Sequence, residues 1–379
     1  MAERKHINLI YRYDDNWMGG TYYILNIIKS LKLLSDDQKP ELLILHPIGC
    51  PLDGVTNLDY PFISFRALNL KISVQKRLVN KLFYYLNGKR IFNYKLPSDL
   101  LPNTYPLYFD MSDEQISKGF YWIPDFQEEY YPEFFSELEI RARKSLNTAL
   151  LENKSDIVFS SQNALNDYNR FYPKNHNNKV VLNFASFVDE SFRKIEINTL
   201  LEKFKIIKPY FIVPNQFWKH KNHKVVLEAL VLLKDKNPDF QVVFTGKLTD
   251  FRNPEYSDQI LQFVKENGIE DYVLFLGFID RAEQLKLMSC AIAIIQPSLF
   301  EGWSTVVEDS KVINQFILVS DIPLHREQIK NNNIFFNPHS AIDLAEKMES
   351  FRMKEMVPVN INYKDFQLKF AQDFISIFN

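Results

Sequence analysis

Short apolar runs alternate with longer stretches of helical spacing along most of the chain. Runs at 6–11, 41–46, 157–160, 210–213, 241–245, 272–276, 291–295 and 316–320 are four to six residues long and rich in branched side chains. Runs of that length and composition predict strands buried on both faces. Further strands are expected at 119–123 and 180–184 and near Leu107. Between the runs, apolar positions recur three and four apart, as Ile24, Leu25, Ile28 and Leu31 do within 21–34. Stretches 136–154, 162–172, 224–233 and 366–378 are read as helices in the same way. Strand and helix in turn predict an α/β protein with open parallel sheets.

The sharpest local pattern is 291–329. Its apolar run ends at Gln296-Pro297-Ser298, because proline supplies no donor to a sheet. A loop, Leu299-Phe300-Glu301-Gly302-Trp303-Ser304, then leads into a helix. Thr305 and Glu308 have the capping-box spacing, and Asn314 suits the left-handed residue just past the helix end. A helix start beside strand ends offers free N–H groups and a positive dipole to an anion such as phosphate. Glu301, just ahead, would sit beside whatever that phosphate carries.

Length predicts two domains, since 379 residues exceed one ordinary core. The boundaries read as 1–190, 191–362 and a terminal helix at 363–379, with the polar stretch 189–208 fitting a linker and the start of the second domain. Net charge of −2 gives no overall pull toward nucleic acid. The 2 cysteines, Cys50 and Cys290, lack metal-ligand spacing and point to a reduced, cytoplasmic protein. The start of the chain lacks a signal-peptide core, and no apolar run reaches membrane-spanning length. Only 10 glycines are present, so Gly19-Gly20 in the loop after the first strand stands out. It is either a tight turn or a place where backbone approaches a ligand. Residues 66–95 hold eight basic side chains (Arg66, Lys71, Lys76, Arg77, Lys81, Lys89, Arg90, Lys95) and no acid, with aromatics among them. A solvated helix face, a peripheral membrane contact at the inner membrane face, or a grip on an anionic acceptor would each use such a pattern.

After strand 210–213 comes Asn215-Gln216-Phe217-Trp218-Lys219-His220-Lys221-Asn222-His223, a second basic loop at a helix start. His220 and His223 lack a third metal ligand, so they are expected to face solvent or phosphate, with no metal site. Gly246 ends the next strand. In the first half, strand 119–123 runs into an acidic, aromatic loop from Pro124 to Phe135 that includes Asp125 and Glu128. Surface acids at a helix start, or a catalytic carboxylate, would explain it.

The stretch Glu301-Gly302-Trp303-Ser304-Thr305-Val306-Val307-Glu308-Asp309 resembles the paired-acid motif of retaining glycosyltransferase family 4, glycosyl transferases group 1. The resemblance implies the GT-B fold, with two Rossmann-like α/β domains facing a cleft and the last helix packing back on the first domain. It implies a hexosyltransferase that needs no metal and uses a nucleotide-diphosphate sugar as co-substrate rather than a bound cofactor. The acceptor would be a saccharide or lipid-linked hydroxyl in cell-surface polysaccharide or glycolipid synthesis. The first acid, Glu301, would touch the donor sugar. The second, eight positions on, is Asp309 where the family usually has Glu, and would hold the ribose. Glu308 lies one position out of that register, and its capping role accounts for it. Gly19, Gly20, Asn215, Gln216, Lys221, Gly246, Gly302, Trp303, Ser304 and Thr305 complete the donor-binding set, with Asp125 as a further catalytic candidate. Gln216 stands where an arginine is usual, which weakens the cationic clamp on the diphosphate. A sugar-nucleotide 2-epimerase of the same fold and a catalytically weak nucleotide-sugar-binding subunit are the alternatives.

Overall fold

The computed structural model describes residues 4–13, 18–68, 73–87, 91–92, 96–107, 113–250, 252–353 and 357–379. The chain divides into two compact units, one of Met1–Ala185 with Lys364–Asn379, the other of Ser186–Tyr363.

The first unit runs β1 (His6–Ile10), α1 (Met18–Leu31), β2 (Glu41–Pro47), α2 (Asp53–Thr56), β3 (Ile63–Leu68), α3 (Val74–Asn87), β4 (Thr104–Tyr105), α4 (Asp113–Ile116), β5 (Phe120–Ile123), α5 (Gln127–Tyr130), α6 (Glu137–Glu152), β6 (Asp156–Phe159), α7 (Gln162–Phe171) and β7 (Lys179–Val181). Parallel ladders join β3-β2-β1-β4 and β5-β6-β7. Leu107 bridges the two sheets: its N–H donates to Phe120 O at 2.8 Å, and its carbonyl accepts from Trp122 N at 3.0 Å. The strand expected near Leu107 is this single bridge, and 108–112 lies outside the described residues. Ser136 caps α6, exchanging bonds with Glu139 in a full capping box. Gly19 and Gly20 are in the first turn of α1 and not in a loop. Backbone N–H groups of a first turn have no intrahelical acceptor, so the helix starts there without loss. The remainder of that expected loop, 14–17, lies outside the described residues.

The second unit runs α8 (Ile197–Phe204), β8 (Tyr210–Val213), α9 (His223–Leu233), β9 (Gln241–Phe244), α10 (Tyr256–Glu266), β10 (Val273–Phe275), α11 (Arg281–Cys290), β11 (Ile294–Gln296), α12 (Thr305–Val312), β12 (Ile317–Ser320), α13 (Pro323–Gln328), β13 (Asn333–Phe336) and α14 (Ala341–Met353). Its six strands are parallel, in the order β10-β9-β8-β11-β12-β13. Every residue of β8, β9, β11 and β12 is buried, which is why these runs read as continuously apolar. The polar stretch 189–208 lies in the second unit and is packed against it rather than being a free linker. Asp189 caps a 3-10 turn, and Phe192 and Leu200 pack with Leu285 and Met288 in the core.

The last helix, α15 (Tyr363–Ser376), places Phe370 and Phe374 in the first unit's core, beside Tyr23 and Tyr105. Tyr23 stacks on Trp122 with ring centroids 4.2 Å apart. Among the described residues no helix is long and apolar enough to cross a membrane.

Candidate active site

Strand order in the second unit reverses between β8 and β11, so the loops leaving their carboxyl ends diverge and open a crevice. Loop 214–222 follows β8, and loop 297–304 follows β11. The two are tied together. Leu299 N donates to His220 O at 2.8 Å, and Asn222 Nδ2 donates to Pro297 O at 3.2 Å and Pro338 O at 2.8 Å. Asn222 holds a left-handed backbone, φ +56°, which asparagine tolerates and which turns the loop into α9.

A buried polar network runs through these loops. Asn215 Nδ2 donates to Gln296 Oε1 at 2.7 Å. Gln296 Nε2 faces Ser298 Oγ at 3.1 Å, Glu301 Oε1 at 2.8 Å and Ser304 Oγ at 3.1 Å. Lys221 Nζ donates to the same Glu301 oxygen at 2.6 Å. Glu301 and Lys221, 80 positions apart, thus form one largely buried ion pair at the carboxyl ends of β8 and β11. Gly246 explains itself by space. Its φ is +129°, and a Cβ there would fall 2.3 Å from Asn215 O. Asn215 can reach Gln296 only because a residue without a side chain lies behind it.

Ser304 caps α12, accepting from Val307 N at 3.4 Å. The expected cap at Thr305 is therefore one position late, and Thr305 itself is exposed in the first turn. Glu308 is consequently not the capping-box acid. It is buried, accepting from Lys311 Nζ at 2.7 Å, Gln328 Nε2 at 2.8 Å and the Tyr363 hydroxyl. Burial first, and the Glu308 carboxylate next, push the Tyr363 phenol well above its ordinary value. Asp309 is buried too, accepting from Ser186 Oγ at 2.7 Å and from the Arg281 guanidinium. Ser186 N also donates to Tyr363 Oη at 2.9 Å. The helix end is as expected, with Asn314 at φ +53° just past it. Gln216, Gly302 and Trp303 are half-buried along the two loops.

His220 and His223 do not face solvent or an anion. Both are buried, and His223 stacks on Phe217 with ring centroids 4.1 Å apart. Burial lowers His223 to about 3 and His220 well below its usual value, with Lys221 adding to both. His325, which sequence reading passed over, is also fully buried. Its Nδ1 meets Ser320 O at 2.9 Å, and burial lowers it to about 4 despite the nearby Glu301. Gln296, Gln328 and Arg281 were missed as well. Gln296 carries a signal that could have found it, a polar residue closing a strand of otherwise buried positions.

Asp125 belongs to the first unit. Its carboxylate accepts from Gln127 N at 3.1 Å and lies 3.8 Å from Arg143. Glu128 is buried rather than a surface acid, paired with Arg143 at 3.0 Å. Burial raises its pKa, and the guanidinium partly offsets this.

Two parallel α/β units with a polar crevice at a strand-order reversal define a class, and solved structures share it across the whole chain. HepE of Anabaena in complex with UDP and glucose is 12% identical, with a TM-score of 0.65 over 98% of this chain and 99% of that one. Sucrose-phosphate synthase of Thermosynechococcus elongatus is 15% identical, with a TM-score of 0.59 over 99% of this chain and 94% of the other. The chain has the GT-B fold of such glycosyltransferases. Within it, residues 198–364 match the model of the family Glycosyl transferases group 1. The O-antigen chain mannosyltransferase RfbU of Salmonella typhimurium is 27% identical over 129 residues, 34% of this chain and 34% of the relative. The match thus spans about a third of that relative's length.

Proposed function

We propose that the chain is a retaining glycosyltransferase of family 4 that moves a hexose from a nucleotide-diphosphate sugar to a hydroxyl acceptor in surface polysaccharide or glycolipid synthesis. The observation that carries this reading is the Lys221–Glu301 pair beside the capped start of α12, at the strand-order reversal. The α12 dipole and Lys221 supply positive potential for a diphosphate, and the network fixes them in place before it arrives. When a diphosphate draws Lys221 toward itself, the Glu301 carboxylate is released to accept from donor sugar hydroxyls. Asp309 is assigned to the nucleotide ribose. The RfbU match and the HepE complex with UDP and glucose support a sugar nucleotide as donor.

In the proposed reaction the acceptor oxygen bonds to the anomeric carbon on the face that the diphosphate leaves. The carbon–oxygen bond to the diphosphate breaks, and the acceptor's proton passes to the departing phosphate oxygen. The protein's part is positioning and electrostatic stabilisation. The reduced state of Cys50 and Cys290 agrees with a cytoplasmic setting. Thermal-shift titration with UDP, GDP, ADP and TDP sugars tests the reading, because a ligand of the folded state raises its melting temperature. One nucleotide series should stabilise the chain, and that donor should turn over with a saccharide or lipid-linked acceptor. Absence of any stabilisation across the panel would sink the proposal.

A further inference from the structure

A guanidinium covers the acid assigned to the ribose. Arg281 opens α11, and its Nη2 donates to Asp309 in the second turn of α12. The other Asp309 oxygen accepts from Ser186 Oγ at 2.7 Å. Ser186 is buried and the Asp309 side chain is 1% exposed, whereas that of Arg281 is 43% exposed. A ligand approaching Asp309 from solvent therefore meets the guanidinium first. That group is also fixed from behind. Its Nη1 donates to Gln284 Oε1 at 2.9 Å, and Gln284 Nε2 donates to Thr245 Oγ1 at 2.8 Å. Thr245 is fully buried just after β9 ends, directly before Gly246. The chain Thr245–Gln284–Arg281–Asp309 thus runs along the carboxyl ends of the sheet from β9 to α12. Strand β8, whose loop carries Lys221, lies between β9 and β11 in that order. Two of the five guanidinium N–H donors bond to these described residues, and the others are left to a ligand or water.

We propose, on the reading that Asp309 holds the nucleotide ribose, that Arg281 determines nucleotide specificity. It selects a ribonucleoside diphosphate sugar over the 2′-deoxy form. A carboxylate only accepts hydrogen bonds, a guanidinium only donates them, and a hydroxyl does both. The ribose 2′-hydroxyl fits between the pair, donating to Asp309 while accepting from Arg281. It replaces the arginine–carboxylate bond that it parts with two bonds of its own, each to a charged partner. A 2′-deoxyribose parts the same pair and returns nothing, so both charged groups lose a partner as the ligand excludes water from them. Gln284, itself tied to Thr245, keeps the guanidinium plane where the hydroxyl arrives. The donor phosphates are assigned elsewhere, to the start of α12, roughly 6 Å along the helix axis from Asp309.

Calorimetric titration of the full chain with UDP, GDP and ADP, each beside its 2′-deoxy form, tests this. The ribonucleotide that binds should do so about tenfold or more tighter than its deoxy form, the loss expected for a hydrogen bond to charged groups. Arg281→Ala should bring that ratio to about threefold or less, chiefly by weakening the ribonucleotide. Arg281→Lys keeps a counter-charge beside buried Asp309 but not the planar fork. It should melt like the unaltered chain and lose the ratio as the alanine variant does. An arginine that served the fold alone would weaken both nucleotide forms equally and leave the ratio standing. A ratio near one in the unaltered chain, or a ratio that either variant keeps, overturns the role of Arg281 and leaves the glycosyltransferase reading intact. No binding by any of the nucleotides overturns both.

Discussion

Lys221 and Glu301 show what a single side chain does here. Both are largely buried, and each is the other's counter-charge at 2.6 Å. Removing one partner of a buried pair strands the other, at roughly 3–5 kcal/mol. Lys221→Ala should therefore lower folding stability by about that amount and weaken donor binding, whereas Lys221→Ala with Glu301→Gln should recover part of the stability but not the binding. Urea melts and calorimetric titration separate the two, and equal losses in the single and double variants would refute the coupling. Glu301→Gln alone should reduce turnover by about a hundredfold while free nucleotide still binds. Histidines give the pH dependence. His223 and His325 are held neutral in the fold at values of about 3 and about 4, while the unfolded chain protonates them near 6.5. The unfolded state then binds more protons, so stability is full above about pH 6.5 and falls as pH drops toward about 4. His223→Phe, which keeps the stack on Phe217, should flatten that fall by about 1.4 kcal/mol per pH unit. An unchanged slope in pH-dependent melts would show that His223 is not one of the groups responsible.

Elements place these residues, and two of them do it through backbone geometry. The N-terminal turn of α12 is held by Ser304, so Ser304→Ala should cost about 1 kcal/mol through the cap and more through the lost contact with Gln296. Glu308→Gln should destabilise by a different route, by leaving Lys311 buried without its counter-charge. The loop after β9 depends on Gly246. Gly246→Ala would push a methyl group into Asn215 O, in a backbone conformation that L side chains rarely adopt. A loss of roughly 2–4 kcal/mol is expected, together with weaker nucleotide binding as Asn215 leaves Gln296. Melting curves and nucleotide titrations of the same samples check both, and a silent Gly246→Ala would contradict the close approach.

At the scale of the molecule, both units repeat one plan, a parallel sheet whose first strand lies inside it with later strands on either side. That plan puts loop backbone, helix dipoles and one lysine at a crevice. The proposed transfer therefore neutralises its leaving diphosphate with groups the chain itself supplies. Turnover should survive excess chelator. Activity lost to chelator and restored by a divalent ion would show that the diphosphate is held by metal.

The alternation of buried strands and amphipathic helices was legible from the sequence, because burial on both faces demands continuous apolar runs. The strand β8 and the helix end at Asn314 follow from that local chemistry, whereas the GT-B class came from the resemblance of residues 301–309 to a known family motif. Strand β3 was not legible, since its exposed polar positions break the apolar run, nor was β13, whose apolar part is only Ile334-Phe335-Phe336. Nor were the partners of buried polar groups. Nothing in the spacing of Lys221 and Glu301 pairs them; the order β8-β11 does. His220 and His223 read as surface residues because a polar name carries no record of the aromatic rings that enclose it. Periodicity reports how far each residue is from water, whereas tertiary structure alone decides which distant residues share a hydrogen bond.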